Sequence, residues 1–370
     1  MRKGNPMSKK DLITQRLGIS RREFIKFCSA TAVAMGLDAS FAPRIAEAVT
    51  SLRRPPVIWL HGQECTGCTE TLLRPSHPTL DHLILDLISL DYHETLCAGG
   101  GHQAEHHMQQ SIKENEGKFI LVIEGAVPVK DGGVYCQVGG RPFVETVREI
   151  APKAAAVIAI GSCASWGGIQ AAAPNPTGAT GVPAILKEQT VVTLPGCPPN
   201  AQNFLSTVIY FLTFGKLPAL DSKGRPTFAY GRLIHENCER RPHFDAGRFA
   251  EKFGDAGHRL GYCLFKLGCK GPETHANCPS QLFCEAGSGA WPVGTGHPCF
   301  GCTEEGIGFN TPLFTQAKIK IPTPAATPPP IQTEQDSPVS PTAAALSGAA
   351  VGVAVGAAMM AGKKATEGDD

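Results

Sequence analysis

Ten cysteines and one histidine of this 370-residue chain fall into three groups whose types and spacing suit metal ligation. The first is Cys65-Thr66-Gly67-Cys68, with Cys163 in Gly161-Ser162-Cys163 and Cys197 in Pro195-Gly196-Cys197-Pro198-Pro199. Each follows a run that reads as a buried strand. In open parallel sheets, ligands collect just outside the carboxyl ends of the strands, so three loops distant in sequence can converge on one site. Four thiolates suffice for a 4Fe-4S cluster, and a tetrahedral zinc ion is the chemical competitor. The second group is His235 and Cys238 with Cys263 and Cys269, a Cys3His set that spacing alone also allows as structural zinc. The third is Cys278, Cys299 and Cys302. A 3Fe-4S cluster needs three thiolates, with Pro292 as a non-ligating residue at the vacant corner. Cys284 can supply a fourth ligand, and spacing leaves both counts open.

The other cysteines carry no such pattern. Cys97, Cys136 and Cys284 stay unassigned, and a buried free thiol is the commonest fate for such residues. Cys28 falls in a leader described below. His102, His106 and His107 resemble a metal site but lack an accompanying cysteine or carboxylate pattern, so they read as surface or interface histidines.

Positioning these groups needs a scaffold. Short, β-branched apolar runs at 57–60, 119–124, 156–160 and 191–194 read as buried strands, and helix-length stretches such as 79–93 and 142–150 lie between them. That alternation predicts an α/β fold, a doubly wound parallel sheet with helices on its faces. Beyond Asp221 the chain turns rich in Cys, Gly, Pro and His. Such a segment cannot build an ordinary apolar core and needs cross-links, for which cofactors are the natural candidates.

The ends address the compartment. Ser20-Arg21-Arg22-Glu23-Phe24-Ile25-Lys26, the apolar run at 27–37 and Ala46-Glu47-Ala48 match a twin-arginine export signal over 1–48, with cleavage after Ala48. Export of an already folded, already metallated protein reconciles metal-binding cysteines with an oxidising destination. Residues 317–341 form a Pro/Thr/Ala-rich linker. Residues 342–362 carry no charge, suffice in length for a transmembrane helix, and place Gly348, Gly352 and Gly356 at the spacing that lets such helices pack. Lys363 and Lys364 would keep a tail at 363–370 cytoplasmic. The net charge of +1 leaves no basic field, which argues against nucleic acid as a partner.

Taken with Gly161-Ser162-Cys163-Ala164-Ser165-Trp166-Gly167, Arg240-Arg241-Pro242-His243-Phe244-Asp245 and Gly296-His297-Pro298-Cys299, these motifs resemble the small subunit of membrane-bound, periplasmic nickel–iron uptake hydrogenases. The resemblance implies a flavodoxin-like domain at 49–220 that holds a proximal 4Fe-4S cluster through Cys65, Cys68, Cys163 and Cys197. It implies a second domain at 221–316. There His235, Cys238, Cys263 and Cys269 would bind a distal 4Fe-4S cluster, and Cys278, Cys299 and Cys302 a medial 3Fe-4S cluster. The partners implied are a large subunit with the nickel–iron centre, a membrane cytochrome b or other quinone-linked subunit, an additional iron–sulfur subunit, and the twin-arginine export machinery. Oxygen-tolerant relatives carry two extra cysteines where this chain has Gly67 and Gly168, which implies a standard proximal cluster and an oxygen-sensitive enzyme. Two other readings compete: the cluster-bearing subunit of a quinone oxidoreductase, and a zinc-stabilised exported binding protein.

Overall fold

Short apolar runs buried on both faces pair most readily as central strands of a parallel sheet. The computed structural model, which describes residues 21–50, 54–75, 88–283 and 290–319, places five strands in one sheet. They are β1 (Pro56–His61), β2 (Ser89–His93), β3 (Ile120–Glu124), β4 (Ala156–Ile160) and β5 (Val191–Leu194), all parallel, in the order β2-β1-β3-β4-β5. This is the flavodoxin-like order, and its direction of winding reverses between β1 and β3. The first cysteine pair lies just beyond β1, at that switch point.

Side chains alternate between two packed layers. Trp59, Val122, Ile158 and Val192 face the helix Ala201–Phe214, while Leu60, Leu121, Val157 and Ala159 face the helices His102–Glu114 and Phe143–Ile150. The stretch 79–93 corrects the helical expectation. Its residues 79–87 lie outside the described ones, and Ser89–His93 is the edge strand β2, with Pro56 opposite Ser89 and Val57 opposite Leu90. Asp91, a poor strand former, is held by hydrogen bonds from the hydroxyls of Ser89 and Ser111. Backbone pairing with β1 and these bonds outweigh local propensity.

Within the segment read as a leader, Arg21–Ala34 and Ala42–Val49 are helices. Phe24, Cys28, Ala32, Met35 and Ile45 are buried in the same apolar cluster as the helix Ala201–Phe214. The Phe41 and Phe214 rings meet at 5.9 Å, and the Arg44 guanidinium sits 4.9 Å over Phe214. Ala46-Glu47-Ala48 lies inside the second of these helices.

Beyond Asp221, described helices are no longer than the five residues of Arg241–Asp245. Loops dominate, and a buried ion-pair network fixes them. Arg225 donates from Nε to Asp221 at 2.7 Å and from Nη1 to Glu304 at 2.8 Å and to the Thr303 carbonyl at 3.2 Å. Glu304 also accepts the backbone N–H and the Nδ1 of His275, at 2.9 and 2.8 Å. Burial pushes the Glu304 carboxyl up, but the bonds from His275 and Arg225 outweigh it and hold the group at about 2. The segment 342–362 lies outside the described residues, and among those described no helix is long and apolar enough to cross a membrane.

Candidate metal centres

The first group converges at the carboxyl ends of β1, β4 and β5, each strand delivering its cysteines through the loop or short helix that follows it. Cys68, in the helix Gly67–Thr71, lies within electrostatic reach of Cys163, Cys197 and Cys65. Its sulfur packs so closely on Gly161 that a Cβ there would stand 2.4 Å away. Burial, then the neighbouring Cys197, pushes the Cys163 thiol up to about 11. Thiols buried like Cys68 and Cys163 need a cation's charge to ionise, which iron or zinc would supply.

Glu124 closes this corner from the end of β3, a residue that cysteine spacing could not reveal. Four donors meet its carboxylate: the N–H groups of Cys68 and Thr69 at 3.0 and 3.3 Å, the Thr69 hydroxyl at 2.6 Å and Trp59 Nε1 at 3.1 Å. The glutamate thereby fixes the backbone on either side of Cys68. Around the same corner, His61 Nε2, Glu64 Oε2, Ser165 Oγ, Trp166 Nε1 and Gln170 Oε1 are buried with no hydrogen-bond partner among the described residues. Ile169, Val134 and Tyr135 are exposed apolar side chains.

All four residues of the second group line one pocket, together with Arg240 and Phe265. Burial, then the Arg241 charge, holds the His235 imidazole down at about 4, so near neutrality it is the uncharged form that binds metals. Its ring stands edge-on to Phe244 at 4.5 Å. The thiols of Cys238 and Cys263 are each pushed up to about 12, chiefly by burial. Arg240 anchors the pocket, donating to the carbonyls of Val293 at 2.9 Å, Tyr262 at 3.0 Å and Gly294 at 3.3 Å.

Cys278, Cys299 and Cys302 line a third space, a cavity of about 450 Å³ that Pro292 also borders. Burial first, then a neighbouring thiol (Cys299 for Cys278, Cys269 for Cys299, Cys278 for Cys302), raises all three, Cys278 and Cys302 to about 12. Cys284 lies outside the described residues. This third group sits between the other two, because Cys302 feels Cys197 of the first and Cys299 feels Cys269 of the second.

Among the described residues, no three of His, Cys, Asp and Glu are close enough to hold one metal ion. Thiolates on one zinc stand about 3.8 Å apart, as Zn–S bonds of about 2.3 Å require. Thiolates of a cluster bind different irons and stand farther apart. Cys97, whose sulfur accepts the His93 N–H at 3.1 Å, and Cys136 are half-buried free thiols away from these groups, and His102, His106 and His107 join none of them.

Residues 65–211 match the family described as NADH ubiquinone oxidoreductase, 20 Kd subunit, and residues 230–315 match the C-terminal family of the NiFe/NiFeSe hydrogenase small subunit. The Hydrogenase-2 small chain of Escherichia coli K12 is 54% identical over 344 residues, covering 93% of this chain and 92% of that one. The chain belongs to the nickel–iron hydrogenase small-subunit family. The periplasmic [NiFe] hydrogenase small subunit of Solidesulfovibrio fructosivorans is 49% identical, covering 81% of this chain and 94% of that one. The oxidised [NiFeSe] hydrogenase of Desulfovibrio vulgaris Hildenborough matches in structure with a TM-score of 0.64 at 38% identity, covering 73% of this chain and 99% of that chain.

Family membership makes this hydrogenase chain the electron-transfer small subunit of an oxidoreductase, whose partner is the hydrogenase large subunit. It also separates the competing readings. The half shared with quinone oxidoreductases ends near residue 211, and the hydrogenase-specific half holds the second and third cysteine groups.

Proposed function

We propose that this subunit relays electrons from dihydrogen oxidation in the large subunit through three iron–sulfur clusters to a quinone-linked membrane acceptor. Cys65, Cys68, Cys163 and Cys197 would hold the proximal 4Fe-4S cluster, Cys278, Cys299 and Cys302 the medial 3Fe-4S cluster, and His235, Cys238, Cys263 and Cys269 the distal 4Fe-4S cluster. The observation that carries the reading is the linear order of the groups, with the third touching both the first and the second. When bound, the clusters supply one-electron carriers at three potentials.

Burial raises the thiols of both end groups, and beside it Glu124 raises Cys68 further while Arg240 partly offsets the rise at Cys263 and Cys269. The large subunit would dock on the proximal corner, where Ile169 is exposed next to Gly168, whose Cβ position lies against the Cys163 sulfur. A periplasmic location follows the relative of that name. Processing after Ala48, the domain limits at 49–220 and 221–316, and anchoring by 342–362 belong to the same proposal.

Metal analysis of the purified complex is the direct test. About eleven irons on this chain, from two four-iron clusters and one three-iron cluster, and nickel in the partner are expected. A colourless zinc protein would overturn the reading.

Oxygen sensitivity is a second expectation. A Cβ on Gly168 would stand 2.7 Å from the Cys163 sulfur, and one on Gly67 3.2 Å from the Cys65 sulfur. Side chains at either position would therefore meet the proximal thiolates, and here both are absent. Dihydrogen oxidation by the complex should cease in air, and sustained turnover in air would contradict it.

A further inference from the structure

One buried hydroxyl spans the junction between the first and third cysteine groups. Ser162, 1% exposed, donates from Oγ to the carbonyl of Cys302 at 2.5 Å and accepts the Gly196 N–H at 2.9 Å. Its own N–H donates to the Gly196 carbonyl at 2.9 Å. Ser162 adjoins Cys163 in the chain, and Gly196 adjoins Cys197. A single side chain therefore joins the backbone flanking two proximal ligands to the backbone of a medial ligand. At the other junction, the Lys270 N–H meets the Cys299 carbonyl at 2.6 Å. Cys269 and Lys270 are consecutive, so this link between distal and medial groups runs through main chain, and the Cys299 N–H also reaches the Cys269 sulfur. At the proximal junction the Cys197 N–H also reaches the Cys302 sulfur, so Ser162 is the contact there that mutation can remove without touching a candidate ligand.

We propose that Ser162 is a positioning residue for electron transfer, fixing the gap between the proximal and medial clusters and supplying a hydrogen-bonded bridge across it. The inference rests on the cluster assignment above. The step itself moves one electron from a reduced proximal cluster to an oxidised medial cluster, with no bond made or broken and no proton required. Electron tunnelling weakens steeply with distance and passes through bonded contacts better than through gaps. Two loops held by a shared hydroxyl keep both distance and contact constant. A merely packing serine would affect stability and leave intercluster coupling unchanged.

The test uses Ser162→Ala and Ser162→Thr in the complete heterodimer. Spin-counted EPR reads cluster content, redox titration reads the medial potential, and the magnetic interaction between the two clusters reads their separation. Freeze-quench after mixing with dihydrogen reads the rate of medial reduction. For Ser162→Ala, we expect full cluster content, a weakened magnetic interaction and medial reduction slowed several-fold, with Ser162→Thr restoring both. Loss of the medial cluster alone would overturn the proposal, because Ser162 would then only be holding the Cys302 loop. Unchanged interaction and rate, loss of both clusters, or equal defects in both variants would overturn it. Absence of cluster signals from the unaltered complex would instead overturn the cluster assignment itself.

Discussion

Replacing Cys299 by alanine is expected to stop electron delivery while leaving the partner's dihydrogen chemistry intact. Cys299 is the central link of the chain of thiols, buried between Cys302 and Cys269. Its carbonyl anchors Lys270. Its sulfur lies 3.8 Å from the Thr274 hydroxyl, which is itself bound to the Lys270 carbonyl. With three candidate ligands at the medial position, removing one leaves too few thiolates for a three-iron cluster. Loss of residues that merely support a metal ligand costs about 10–100-fold, so loss of the ligand should lower dihydrogen-dependent dye reduction by more than about 100-fold. Hydrogen–deuterium exchange catalysed at the nickel–iron centre needs no relay and should persist. Dye reduction at the unaltered rate in the variant, with the medial EPR signal present, would remove Cys299 from the ligand set.

The contrast between what the sequence makes legible and what it hides has physical causes. Strands β4 and β5 are legible to the residue because short apolar runs buried on both faces leave one reading. The edge strand β2 is not. Serine, aspartate and histidine interrupt its apolar pattern, and its pairing with β1 is a long-range contact that no local period records. The CxxC pairs announce ligation, yet spacing cannot say which cysteines share a site. That depends on which loops the sheet brings to one edge and on Cys302 reaching back to Cys197. Glu124 reads locally as the polar end of an apolar strand, and only the fold turns it towards Cys68. Ser162 is hidden in the same way, standing beside a cysteine that draws attention from it. Strand topology already groups the first four cysteines, while the roles of His235 and of the medial three lean on family resemblance, and the flavodoxin-like strand order explains why the first group can form.

Glu304→Ala is expected to destabilise the cluster-bearing loops by about 3 kcal/mol, at the lower end of the range for stripping one partner from a buried ion pair. Arg225 and Glu304 have side chains only 5% and 7% exposed. Removing the carboxylate leaves the guanidinium with Asp221 as its remaining acidic partner at 2.7 Å, which keeps the loss from being larger. The His275 N–H and ring also lose their acceptor. A shift of this size should lower the temperature at which the complex bleaches by roughly 6–12 °C, on the scale of about 2–4 °C per kcal/mol for chains of this size. Glu304→Gln keeps an oxygen for His275 and should lose less, about 1–2 kcal/mol. The double variant Arg225→Met/Glu304→Leu separates charge from architecture. If the pair serves only to fill and fix this corner, an apolar replacement should recover most of the lost stability. Because Glu304 lies two residues beyond Cys302, a clasp that weakens should release the medial cluster before the sheet unfolds. Bleaching would then precede loss of secondary structure on heating. Coincident loss of both in Glu304→Ala would show that the network stabilises the whole chain and does not act locally on the medial loop.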